Sequence, residues 1–211
     1  MRKLRVGYKI LIILIILGGC FVIFHKISQV NLKDNNYNLN NSKSNIKIKQ
    51  NDVKGNYNSV LNEFDVNYPW KEKGIDSKKV LVGSYDITKE NGKNQMWIGK
   101  EASITLSSEK SFKYLNIKGW IPVSMHKKIN NIQDVSIKFY INDKEIKQLK
   151  FKEDKLVNEK IEYEKIKDII GDNKQFCFKI QVSSSYNPKK EGINDDERDL
   201  SMIIDYIGEK N

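Results

Sequence analysis

The residues of this chain that could carry acid–base or nucleophilic chemistry are spaced in ways that offer little of it. Ser124-Met-His-Lys127 and Ser107-Ser-Glu-Lys110 both match Ser-x-x-Lys, in which a lysine assists an acylating serine. That motif has to open a helix, and neither match is predicted to do so. No Ser-Asp-Asn or Lys-Thr-Gly segment accompanies them. Of the two histidines, His25 flanks an apolar run, which leaves His126 alone further on, read as a solvated loop side chain. No Cys/His spacing of the zinc kind, Gly-rich phosphate loop or nucleophile elbow is present in the sequence. The expectation is therefore a protein with no catalytic residues, no metal and no cofactor. The densest carboxylates are Asp195, Asp196, Glu197 and Asp199, around Arg198. They read as a solvated loop in which Arg198 neutralises its neighbours. Calcium is a second reading, since such loops supply hard oxygen ligands, although the spacing is not that of an EF-hand.

Aromatic residues carry the stronger signal. Trp97 and Trp120 fall near predicted strand ends or turns, with Tyr85 and Tyr186 also in the outer part of the chain. Flat aromatic faces stack on the C–H faces of sugar rings, so Trp97, Trp120, Tyr85 and Tyr186 are the candidate ligand-binding residues. The competing role for Trp97 and Trp120 is core packing, since large aromatics dominate core energetics.

The elements that must position these residues are strands. After Ser77 the sequence becomes short alternating runs separated by turns, the signature of an all-β domain. Runs at Val80–Thr88, Met96–Ile98, Ala102–Leu106, Phe112–Trp120, Val135–Ile141, Ile146–Phe151, Gln175–Val182 and Leu200–Ile207 give eight strands or so. Asn91-Gly92 and Asn142-Asp143 supply the positive φ values of tight hairpins. A short stretch at Glu164–Ile170 is the best helical candidate. The pattern argues for an all-β, two-sheet β-sandwich of jelly-roll type, with an all-β barrel as the alternative.

Ahead of that domain the chain changes character twice. Arg2, Lys3, Arg5 and Lys9 precede an apolar run from Ile10 to Phe24, followed by His25 and Lys26. Fifteen helical residues rise about 22 Å, short of a hydrocarbon core of roughly 30 Å, but snorkelling lysines and the flanking Val6–Tyr8 and Ile27 extend the span. The basic excess precedes the run, so the N-terminus is expected in the cytoplasm and the rest outside, giving a single-pass membrane protein. An alternative is that Leu17-Gly18-Gly19-Cys20 is a lipoprotein box, with Cys20 lipidated after cleavage. Ordinary signal cleavage is a third reading. From Asn31 to Asn62, 11 of 32 residues are Asn, too polar to offset ordering entropy, and the stretch reads as a disordered spacer. The expected organisation is an anchor at 1–28, a spacer at 29–77 and an extracytoplasmic domain at 78–211. Net charge is +10, but residues 1–28 hold five basic and no acidic side chains, while 78–211 hold 25 basic and 21 acidic. Half the excess thus lies beside the membrane segment. The domain lacks the basic footprint of a nucleic-acid binder, so nucleic acid is not an expected partner.

Residues 80–207 as a whole resemble an accessory β-sandwich domain appended to bacterial envelope-polysaccharide proteins, including glycosyltransferases. The resemblance rests on Gly83-x-Tyr85, Trp97-Ile-Gly99 and Leu115-x-Ile117-x-Gly119-x-x-Pro122. It continues through Val135–Ile141 with Asn142-Asp143-Lys144, then Pro188 and Asp196-x-Arg198-x-Leu200-Ser201. It implies a non-catalytic accessory role, and for Asp196 and Arg198 a structural ion pair pinning the last loop. The expected function is a membrane-anchored module recognising envelope or extracellular glycan. The alternative is a protein-interaction subunit of an envelope polysaccharide synthesis complex.

Overall fold

A computed structural model describes residues 61–107 and 112–210. The expected membrane helix, Cys20, the spacer up to residue 60 and most of the Ser107–Lys110 match lie outside the described residues. Among the described residues no helix is long and apolar enough to cross a membrane.

Ten strands dominate: β1 (Glu63–Asp65), β2 (Val82–Ser84), β3 (Thr88–Glu90), β4 (Lys93–Ser107), β5 (Tyr114–Ile121), β6 (Val135–Ile141), β7 (Lys144–Phe151), β8 (Lys155–Glu162), β9 (Gln175–Val182) and β10 (Met202–Lys210). Among the described residues three short helices interrupt them: α1 (Ser77–Val80), α2 (Val123–Asn130) and α3 (Lys167–Ile170), the last preceded by a 3-10 turn at Tyr163–Lys165. All named strand pairings are antiparallel, in the order β7-β6-β9-β4-β10-β5-β8.

Alternation fixes which face of each strand is buried. In β6, Val135, Ile137, Phe139 and Ile141 point inward while the residues between them are half-buried. Phe178 of β9 stacks on Phe139 with centroids 5.8 Å apart. The 15-residue β4 pairs with β10 through Met96–Ile98 and with β9 through Glu101–Ser107. One long strand therefore takes part in both halves of a sandwich-like fold, in place of the two separate sheets expected from sequence. The outer strands of the path, β7 and β8, approach without a hydrogen-bonded ladder. Lys147 of β7 instead meets Glu159 of β8 at 2.5 Å. The barrel alternative is thus approached but not closed.

Several sequence expectations change. Leu61, Phe64, Val66 and Trp70 are core residues, so the domain takes in residues 61–77 that the composition assigned to the spacer. Phe64 lies in β1, which pairs with β10. The run Val80–Thr88 is broken: Gly83 has φ +87, and a Cβ there would lie 2.1 Å from the Glu101 carbonyl oxygen. The backbone crosses too close to β4 at that point for a side chain. Strand β8 and helix α2 were not foreseen. The two hairpin turns are as expected, with Asn91, Gly92, Asn142 and Asp143 all at positive φ.

Candidate functional site

The register of four strands builds one lateral row. Ile203 of β10 pairs with Trp97 of β4 on one side and with Trp120 of β5 on the other. Trp120 pairs in turn with Leu156 of β8. Directly paired residues share a face, and Met96, Ile98, Ile204 and Val157, which alternate with them, face the core. Trp97, Ile203, Trp120 and Leu156 therefore run across the outer face, about 14 Å from end to end at the usual strand spacing. Strands β4 and β5 flank β10, yet the two indole centroids lie only 6.3 Å apart, with the planes at 73°. The rings lean toward each other over Ile203, which explains how Ile203 is 5% exposed without belonging to the main core. Both indoles are half-buried, and Leu156 is 55% exposed. The tryptophans are thus neither fully buried nor free of packing, since Trp97 also meets the buried Tyr186.

The tyrosines have other roles. Tyr186 is 5% exposed, which corrects its expected part as an open stacking face. Its ring stands edge-on to Trp97 at 6.3 Å and to His126 at 5.1 Å, so it props the row from the side. Burial pushes its phenol well above the usual range. Tyr85 accepts its place from backbone geometry: its N–H donates to the Trp97 carbonyl at 2.9 Å. Its hydroxyl donates to the Asp199 carbonyl at 3.1 Å, and the Arg198 guanidinium lies 5.4 Å from its ring centroid. One face of Tyr85 is thereby occupied by the loop, and the ring ties that loop to β4.

The loop itself is ordered by a few polar contacts. Arg198 Nε and a terminal guanidinium nitrogen donate to the two carboxylate oxygens of Asp196 at 2.8 and 2.6 Å, and the Arg198 N–H donates to the same carboxylate at 3.0 Å. The pair is half-buried. The fork of donors from Arg198 holds the Asp196 carboxyl below its usual range. Asn187 donates to the Glu197 carbonyl at 2.5 Å. No group of three acidic, His or Cys side chains among the described residues converges as a metal site.

Helix α2 brings two corrections. His126 is fully buried and not solvated. Its Nε2 lies 2.8 Å from the Ser201 carbonyl oxygen; as a carbonyl can only accept, Nε2 carries the proton. Burial lowers its pKa, so the ring is neutral. Ser124 does sit in the first turn of a helix, contrary to expectation. Its backbone N–H and hydroxyl, however, both donate to Asp154, at 2.6 and 2.8 Å. The hydroxyl is engaged by a carboxylate, while the nearby histidine bonds Ser201, so these groups form no relay.

Sequence reasoning missed Ile203, Leu156 and the polar residues beside the row. One step along the strands from the indoles, on the same face, lie Gln95 of β4, Lys118 of β5 and Asn158 of β8. Lys118 and Asn158 are themselves register partners. Leu156 and Asn158 belong to a strand, KLVNEKIE, whose charged residues leave no clean apolar alternation to signal it.

No family model matches the chain, and no curated protein matches it. The resemblance to accessory domains of envelope-polysaccharide proteins thus rests on the quoted motifs alone. Among solved structures the chain is similar to CBM51 from Clostridium perfringens GH95, a structure in complex with methyl-galactose. The identity is 13% and the TM-score 0.28, over 59% of this chain and 79% of that one. Likeness at that level leaves the ligand to be argued from this chain's own residues.

Proposed function

We propose that the domain is a non-catalytic glycan-recognition module whose platform is the Trp97–Ile203–Trp120–Leu156 row. The carrying observation is the direct register of Trp97, Ile203 and Trp120 across three adjacent strands on the face away from the core. Half-exposed indoles on a sheet are held by backbone pairing, so their faces are presented with little ordering cost on binding. The exposed amide of Asn158 and ammonium of Lys118 lie about 7 Å along the strands, within reach of the hydroxyls of a sugar stacked on the rings. The basic N-terminal flank and the apolar run Ile10–Phe24 support a tether that holds this domain outside the cytoplasm at a cell envelope.

A second reading has one observation in its favour. Leu156 continues the row as an exposed apolar side chain, as a protein-docking surface on an envelope-synthesis enzyme would. The full chain screened on a glycan array separates the two. The glycan reading expects specific hits that Trp97→Ala and Trp120→Ala each weaken by tenfold or more. Absence of any hit at millimolar glycan contradicts it and leaves the docking reading.

A further inference from the structure

A bulge in β10 sets a carboxylate beside the aromatic row. The register runs Ile203 to Trp120 and Ile204 to Gly119, then resumes at Tyr206 to Lys118, so Asp205 is the extra residue. Bulges re-aim side chains and recur next to functional sites. Ile204 and Ile207 face the core, while Tyr206 pairs with the exposed Lys118, two residues before Trp120 on the outer face of β5. Asp205, two residues from Ile203, lies on that same outer side. The charged groups that act on it are Lys93 from β4, Lys118 from β5 and Asp65 from β1. Burial dominates these and lifts its carboxyl above the ordinary range. Among the described residues no side chain donates a hydrogen bond to this half-buried carboxylate. Its oxygens are not among the buried, unpartnered atoms of the described residues, so water satisfies them and a ligand hydroxyl can take that water's place. Lys93 and Lys118 disfavour a cationic ligand there, and the carboxylate disfavours an anionic one. A neutral polyol suits all three: hydroxyls donate to Asp205, and its oxygens accept from Lys118.

We infer that Asp205 is the hydroxyl-accepting anchor of the Trp97–Trp120 platform, and that the ligand is a neutral glycan presenting adjacent free hydroxyls. This rests on the glycan reading of the platform. The test uses the full chain against neutral hexose and N-acetylhexosamine oligosaccharides, their O-methylated forms, and uronate-containing counterparts. The wild type should prefer the neutral, unmethylated probes. Asp205→Asn should weaken them tenfold or more while melting no lower than wild type at neutral pH, because the amide removes a half-buried charge. A structural role would instead lower the melting temperature. Unchanged binding by Asp205→Asn where Trp120→Ala has lost it overturns the assignment and spares the platform. Stronger binding of uronates than of neutral probes overturns it too. Should the variant fail to fold, the methylated probes decide: equal wild-type affinity for methylated and free sugars is the overturning result. No binding of any probe by the wild type removes the platform and the anchor together.

Discussion

Glu209 shows how one side chain sets the acid–base behaviour of this fold. It pairs with Leu115 at the core-facing side of β10, its Oε1 is buried with no hydrogen-bond partner among the described residues, and burial pushes its pKa up to about 8. The unfolded chain ionises this group near 4.5. Between those values the unfolded state is charged and the folded state is not, so the group's contribution is fully present below pH 4.5 and is lost as pH rises to about 8. Glu209→Gln should flatten that loss and raise stability at pH 8. Water over its open side discounts the full linkage value to about 1–2 kcal/mol. Urea unfolding of both proteins at pH 5 and pH 8 checks this: a gap equal at both values would mean the carboxyl is solvated. The Asp196–Arg198 pair works in the other sense, since its lowered carboxyl pKa stabilises the fold above the unfolded value and is lost as pH falls. Being half-buried, it should cost about 1–2 kcal/mol when either partner becomes Ala, between the surface and buried limits. A double-mutant cycle should return about 1 kcal/mol of coupling; additive losses would mean the two groups act separately.

At the scale of elements, two glycines of the site region behave oppositely. Gly119 faces β10 so closely that a Cβ would lie 2.2 Å from the Ile203 carbonyl oxygen. Gly99, one residue past Ile98, would place its Cβ no nearer than 3.7 Å to any neighbour, an ordinary contact. Gly119→Ala should therefore destabilise by about 2–4 kcal/mol, by prising β10 from β5 beneath the indoles, whereas Gly99→Ala should stay within about 1 kcal/mol. Equal urea midpoints for the two variants would mean the strands do not approach as described. Much of this layer was legible: alternation in β6 and β9, and the turn residues Asn91, Gly92, Asn142 and Asp143, announce themselves locally. What was not legible is long-range. The bulge at Asp205 leaves no mark in Leu200–Ile207, because it answers a strand 85 residues away in sequence at Gly119–Trp120. The sequence offers Trp97 and Trp120 as two of four candidates, but only the register through Ile203 makes them neighbours. Tyr186 and His126 read as exposed because nothing local says that α2 and the Tyr186–Leu200 bridge close over them. Strand β8 hid behind its lysines, which suit an edge strand meeting β7 without pairing.

Taken whole, the domain is a sheet folded over one apolar core, its last two strand edges meeting through the Lys147–Glu159 ion pair and its outer face carrying an aromatic row. Within the row, Leu156 and the indoles keep exposed surface that burial would stabilise. The chain's three tryptophans allow that claim to be read directly. Trp70 is 3% exposed, with its indole N–H donating to the Asp65 carbonyl at 2.9 Å, whereas Trp97 and Trp120 are half-exposed. Acrylamide quenching of the full chain therefore samples the row and leaves Trp70 dark to the quencher. A saturating neutral oligosaccharide should cut quenching sharply and shift the emission to the blue, as stacked sugar shields the indoles. Bound oligosaccharide with quenching and emission unchanged would contradict the account, because the ligand would then sit away from Trp97 and Trp120.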